Sequence, residues 1–453
     1  MRQCLWRATA RHWSLLLVLL VGGVGGVGDV GGRWEPSHAA AAPQPVAPAF
    51  LAVDGYLVTG PFLAFYQTHG GADAFGGPRT DALVEADGLT VQYFAFACFE
   101  WRGDHVALRH LGRRAAVGHP NATAFTWQPP EAPVAAGRTY RADSGHTLGG
   151  AIGWYWQTHG AAPILGLPIS EELREEDTGQ VVQYFERAVL TYDPTAAGTL
   201  DEVRRTPLGT RAAPAAPPAP APRLLATATL PVRGGSPEAQ NIAAAAAHLH
   251  GLVIPDGARL SFLGTVGPVT AANGYGSGPA IVGGQLVSND IGGGICMLST
   301  LLYRTAWHAG LPILARQPHS AWLRVFADAP GLEAAVADPG PDLVIRNDTG
   351  AVIIVEATVD GDHATLRLWG QDDGRQVAVV APTVRLRPAS GGSRSAGGLA
   401  RAVPDPSTEG ATVENVRVIR PPHGPARREV VVTRYAPTPA EVPTPLVPEE
   451  RPS

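Results

Sequence analysis

The sequence predicts a multidomain α+β chain: two small aromatic α+β repeats, then a mixed α+β domain and a β-rich C-terminal piece. Three observations predict it. A block from Gly60 to Trp101 recurs from Gly150 to Tyr192. An alternating Ala/Pro run, Ala212 to Pro222, interrupts all patterning and cannot form a packed core. Beyond it, helix-forming and strand-forming stretches are interleaved, and 453 residues exceed one ordinary core. Hydrophobic residues at 45% and charged residues at 17% fit globular domains, while 54 Gly and 42 Pro imply long loops.

Charge excludes several classes. With 35 basic and 40 acidic residues the net charge is −5, which gives no broad basic field for nucleic acid. Every basic residue is Arg, so Schiff-base lysine chemistry and a P-loop lysine are excluded. No cofactor motif is present.

At the N-terminus, Arg2, Arg7 and Arg11 precede an apolar run from Trp13 to Val21, and Ala39 to Ala42 supply small residues before Pro43. This order is that of a secretory signal peptide over residues 1–42, or of an uncleaved anchor. No other stretch could span a bilayer, so a secreted or cell-surface location, without an integral span after cleavage, is expected. Cys98 lies in an apolar strand-like run and reads as a buried inert thiol; a bridge from it to Cys296 would have to cross domains.

The two repeats align through Gln67-Thr68-His69-Gly70 with Gln157-Thr158-His159-Gly160, and through Gln92-Tyr93-Phe94 with Gln183-Tyr184-Phe185. Each predicts a short aromatic helix closed by His-Gly, a Gly-x-Pro turn and a strand pair. His69 and His159 have no companion at metal spacing and read as helix-terminal structural residues; no metal is expected. The Gly-x-Pro turn with its later Gln-Tyr-Phe strand resembles the LGFP-type repeats of bacterial surface proteins over about residues 57–195. That resemblance implies attachment to the cell wall.

The chemistry concentrates after the linker. Asn241 to Leu249 is helix-forming, Arg259 to Phe262 reads as a strand, and Gly292-Gly293-Gly294 leads into a helix from about Cys296 to His308 with Leu298, Leu301, Leu302 and Ala306 on its buried face. His319 to Phe326 alternates like a strand. Val377 to Val380, Thr383 to Leu386, Thr412 to Arg420 and Arg427 to Tyr435 complete the pattern with strands, the last two as a hairpin.

Gly292-Gly293-Gly294-Ile295-Cys296, Ser299-Thr300-Leu301-Leu302-Tyr303, Ala309-Gly310-Leu311, His319-Ser320 and Asp342-Leu343 with Asn347-Asp348-Thr349, preceded by Ala272-Asn273-Gly274-Tyr275, resemble the VanW family in order and spacing. This chain has Met297 where the family usually has Gln, and Glu333 where it usually has Asp. The resemblance implies a cell-envelope protein and does not supply a reaction.

Two readings of the glycine–cysteine turn stand side by side. In the first, the turn is structural and the domain binds peptidoglycan or another wall component, with Gly292, Gly293, Gly294 and Ser320 shaping the site. In the second, Cys296 is a nucleophile at a helix N-terminus, where dipole and free amides favour a thiolate. His319 would then be its base and Asp342 the orienting acid, with Asp338 as the alternative acid, for acyl transfer or amide hydrolysis on wall peptide. The series Ala309–Arg316, His319–Trp322 and Ala337–Gly340 also looks like the Cys/His/Asp core of transglutaminase-like enzymes.

The boundaries so read are a signal peptide at 1–42, repeats at 43–125 and 126–206, a linker at 207–223, a VanW-like domain at 224–372, a β-rich segment at 373–436 and a disordered tail at 437–453.

Overall fold

The computed structural model describes residues 49–132, 134–215, 217–218, 220–282, 285–387, 394–395 and 410–437. The segment expected to be a signal peptide, most of the 389–399 stretch and the tail beyond 437 lie outside the described residues. The α-helices are α1 (Gly60–Thr68), α2 (Gly71–Phe75), α3 (Leu111–Ala116), α4 (Gly150–Thr158), α5 (Ala161–Leu165), α6 (Leu208–Ala212), α7 (Pro237–Leu249), α8 (Phe262–Val266) and α9 (Ile295–His308). Sheets and helices alternate in several small layers, as an α+β chain requires.

The two repeats superimpose element for element. Each opens with a hairpin, Phe50–Val53 with Tyr56–Thr59 and Arg138–Arg141 with His146–Gly149. Next come the helix pairs α1/α2 and α4/α5, joined by Gly70 and Gly160 at φ 97° and 90°, a left-handed conformation that glycine adopts freely. Each ends in a four-stranded antiparallel sheet, with Thr90–Tyr93 and Val181–Tyr184 as inner strands. The repeated glutamine is the internal staple. Gln92 Nε2 donates to the carbonyls of Leu57 (2.7 Å) and Thr80 (2.9 Å), and Gln183 Nε2 to those of Thr147 and Ser170 (both 2.8 Å). Buried amides without such partners would be costly, so the residue type is fixed by the backbone around it.

The copies also exchange helices. α3 follows the first sheet yet packs on the second: Arg113 N donates to Glu186 O at 3.1 Å. α6 follows the second sheet yet packs on the first: Thr210 N donates to Ala95 O at 3.2 Å. One shared core results, in which Val91, Tyr93, Cys98 and Leu111 meet Val182, Tyr184, Val189 and Leu208. The chain from 207, expected as linker, therefore starts with a helix that belongs to the repeat pair. Cys98 is fully buried there, burial pushes its thiol up to about 12, and both Cys98 and Cys296 are free.

The Ala/Pro stretch does not hold the two halves apart. Ala49 and Leu57 of the first hairpin pack on Ile354, and Phe50 meets Trp369 edge-on at 5.6 Å. After it, Arg223–Pro231, His363–Gly370, Ile353–Asp360 and Val253–Ile254 form a four-stranded antiparallel sheet. α7 and α9 cover this sheet, and the largest core joins Leu298, Leu301, Leu302, Ala306 and Trp307 of α9 to Val355, Leu366 and Leu368. The predicted apolar face of α9 is thus the buried one.

Two local expectations are corrected. Phe262 starts α8 rather than ending the strand, because Ser261 caps the helix, its Oγ accepting from Gly264 N at 2.9 Å. Residues 319–326 are not a strand: Arg324–Phe326 is a 3-10 turn, with Phe326 N donating to Leu323 O at 3.0 Å. The alternation there is overridden by tertiary contacts, since the buried Arg304 guanidinium takes the carbonyls of Leu332 (2.8 Å) and Phe326 (3.3 Å).

In the C-terminal segment Gln376–Arg387 runs as one strand, with an irregularity between Val380 and Thr383, and pairs with Gly410–Arg420, which pairs with Arg427–Tyr435. This sheet closes the end of α9. Arg417 is fully buried, donates to Trp307 O (2.8 Å) and Leu311 O (2.7 Å), and lies 4.3 Å over the Trp307 ring. A cation on the last carbonyls of a helix satisfies orphan acceptors and favours the dipole.

Candidate functional site

The glycine turn is built by close packing. Gly292 and Gly294 have φ of 83° and 101°. A Cβ at Gly294 would stand 2.9 Å from the Glu238 Cβ, and one at Gly292 would stand 2.2 Å from Val269 Cγ1. Asn241, fully buried on α7, stitches the turn: its Nδ2 donates to Gly276 O (3.0 Å) and Gly293 O (2.9 Å), and its Oδ1 accepts from Gly276 N (2.7 Å). Gly294 thus brings the start of α9 against α7, while Gly292 fits against the segment after α8. Gly292 and Gly293 are buried.

Cys296 occupies the second position of α9. Its sulfur is held by one neighbour, donating to Val336 O at 3.4 Å and accepting from Val336 N at 3.5 Å. Burial pushes the thiol pKa up, and the Val336 amide only partly offsets this. Burial thus opposes the thiolate that a helix N-terminus favours.

His319 is 9% exposed, stacks on Phe326 at 5.3 Å, and its Nδ1 is buried without a hydrogen-bond partner. Burial, then Arg316, lowers its pKa to about 4, so the ring is neutral at physiological pH. Asp342 serves α8 instead: Oδ2 accepts from Ser261 Oγ at 2.5 Å and Oδ1 from Leu263 N at 2.9 Å. Asp338 Oδ2 accepts from Val269 N at 3.2 Å. Ser320 is exposed, and its carbonyl accepts from Ala436 N at 2.8 Å. No hydrogen bond joins Cys296, His319, Asp342 or Asp338 to one another, whereas a nucleophile, base and orienting acid act through such contacts.

A polar cluster the sequence did not reveal lies beside these residues. Glu333 is buried, and both its oxygens receive the Tyr435 hydroxyl, at 2.7 and 2.8 Å. Tyr435 Oη in turn accepts from Gly331 N at 2.9 Å, and Arg316 Nε donates to Glu333 O at 2.7 Å. Burial raises the Glu333 pKa, with Tyr435 and Arg316 opposing. The only signal was Glu333 standing where a shorter acid is usual; its partner lies in a segment remote in sequence.

In the repeats, His69 Nδ1 lies 3.0 Å from Phe65 O with its ring stacked on Phe65 at 4.0 Å, and His159 does the same with Tyr155 at 2.9 and 3.8 Å. Both are helix-end residues tied to their own turn. Among the described residues, no group of three or more His, Cys, Asp or Glu stands where it could hold a metal ion.

Similarity to known proteins covers α7, the glycine turn, α9 and three of the four strands of the sheet they cover. Residues 238–369 match the family model described as VanW like protein. The chain is 33% identical over 132 residues to the uncharacterized protein YoaR of Bacillus subtilis (strain 168), covering 29% of this chain and 43% of that protein. It is 30% identical over 127 residues to the vancomycin B-type resistance protein VanW of Enterococcus faecalis (strain ATCC 700802 / V583), covering 27% of this chain and 45% of that protein. The chain thus spans less than half the length of the curated relatives it matches. Through residues 238–369, which include Asn241, the glycine turn and Cys296, it carries a domain of the VanW-like family.

Proposed function

We propose that this is an exported cell-envelope protein that binds peptidoglycan or another wall component without covalent chemistry. The VanW-like domain would work with the aromatic repeat pair as one binding body. The observation that carries this reading is the bonding of Cys296: its sulfur is engaged by the Val336 backbone while His319 and Asp342 serve other elements. Packing of α9 on α7 accounts for the glycine turn without a catalytic role for it. Similarity to a vancomycin B-type resistance protein and the resemblance of the repeats to wall-attachment modules support an envelope setting. Among the described residues no helix is long and apolar enough to cross a membrane, which is compatible with a wall-side location.

The test is co-sedimentation of the full chain, without its leader, with purified bacterial sacculi. Saturable retention well above that of an unrelated protein of similar charge is expected, and it should be unchanged in Cys296→Ser. No retention would overturn the wall reading. Release of peptide or glycan fragments that disappears in Cys296→Ser would overturn its non-catalytic part.

A further inference from the structure

The repeat pair encloses a cleft of about 680 Å³ where α1 and α3 meet α5 and the turn after Tyr184. We propose that this cleft is an oxyanion-binding site for sugar fragments bearing carboxylate or phosphate groups, the inference resting on the wall-binding reading above. Arg102, Arg109, Arg113, Arg114 and Arg187 line it. Glu85, Glu100 and Glu186 pair with the first three of these, so five positive groups face three negative ones, an excess of two. Arg114 and Arg187 have no carboxylate within ion-pair distance among the described residues. Arg187 spends Nη1 on Ala162 O at 2.8 Å, and its Nε is buried without a partner. His110, on the same wall, is held below its ordinary pKa by burial first and then by Arg187, with Arg113 adding to the effect. The stacked Phe65–His69 pair supplies a flat apolar face beside these charges.

The internal symmetry separates folding from function. Positions that hold the fold are kept in both copies: Leu111-Gly112 matches Leu208-Gly209, and Gln92 matches Gln183. Two cleft arginines are not kept, Arg113 corresponding to Thr210 and Arg187 to Phe96, whereas Arg114 is kept as Arg211. The same architecture therefore stands without Arg113 and Arg187 in the equivalent place, so these two are not a folding requirement. Guanidinium groups suit carboxylate and phosphate geometry, and a concave, partly desolvated setting strengthens the attraction.

Binding to the full chain is measured by calorimetry at two salt concentrations. The probes are lysozyme-released peptidoglycan fragments (carboxylate), teichoic acid (phosphate) and chitohexaose (uncharged). At least one anionic probe should bind with salt-sensitive affinity, the arm that binds naming the source, and chitohexaose should bind at least tenfold more weakly. Arg113→Thr with Arg114→Ala and Arg187→Phe, which installs the other repeat's residues at two positions, should weaken anion binding at least tenfold. If that variant melts early, the exposed Arg114→Ala alone should still weaken it about threefold, roughly 0.7 kcal/mol. Equal binding of parent and folded variant, equal binding of chitohexaose, or no anion binding by the parent would overturn the cleft. Sacculus retention that survives in the variants leaves the wall reading standing while the cleft falls.

Discussion

Gly209 offers the sharpest test of the helix exchange in the repeat pair. An ideal Cβ there would stand 1.9 Å from Phe94 O, 2.6 Å from Ala97 O and 3.0 Å from Ala97 N, all backbone atoms that cannot rotate aside. In Gly209→Ala, α6 must withdraw by about 1.5 Å to reach van der Waals contact. The retreat strains the Thr210 N to Ala95 O bond and exposes Leu208, now 6% exposed. The bond is worth about 1 kcal/mol and the leucine about 2 kcal/mol. Alanine returns about 1 kcal/mol of helix propensity, so a net loss of about 2 kcal/mol is expected. Gly153→Ala is the matched control, since it lies in α4 with its nearest contact at an ordinary 3.5 Å and should stabilise by up to about 1 kcal/mol. Urea denaturation followed by tryptophan fluorescence reads both. A Gly209→Ala chain as stable as Gly153→Ala would refute the reciprocal packing.

Two further outcomes follow from the VanW-like domain. Asn241→Ala removes the partners of Gly276 N and of the buried Gly293 O, while Gly276 O keeps its bond from Gly292 N, and should cost about 1–3 kcal/mol in thermal unfolding, against a near-neutral effect if the turn held itself. His319, with a folded pKa near 4 against 6.5 when unfolded, is protonated first in the unfolded chain. Stability should therefore fall as pH drops from 6.5 towards 4, by about 3 kcal/mol from this group at full effect. His319→Phe should flatten that part of the pH–stability curve, whereas an unchanged curve would mean that the ring is already solvated.

What the sequence disclosed depended on whether the cause was local. The repeats were legible because helix, His-Gly cap and Gln-Tyr-Phe strand each carry their own residues, and α9 was legible from its apolar spacing. The helix exchange was missed although its signal was present: Leu111-Gly112-Arg113-Arg114-Ala115 and Leu208-Gly209-Thr210-Arg211-Ala212 repeat beyond the aligned blocks. Periodicity cannot say which sheet a helix packs against. The stretch at 319–326 alternates like a strand, yet a remote guanidinium on α9 holds its carbonyls in a turn. Glu333 and Tyr435 lie 102 positions apart, and only the fold brings their oxygens together. At the candidate site, the glycines announced a tight turn correctly, whereas the environment of each titratable group is set by partners such as Val336, Phe326 and Ser261 from other elements.

The most direct measurement is the pH dependence of iodoacetamide alkylation at Cys296, read by peptide mass spectrometry on the full chain and on His319→Ala. A sulfur bonded to the Val336 backbone and raised by burial should react slowly, gain rate only toward alkaline pH, and behave alike in both proteins. Fast alkylation that has already levelled off below neutral pH, and that is lost when the imidazole is removed, would contradict the account and make Cys296 a nucleophile.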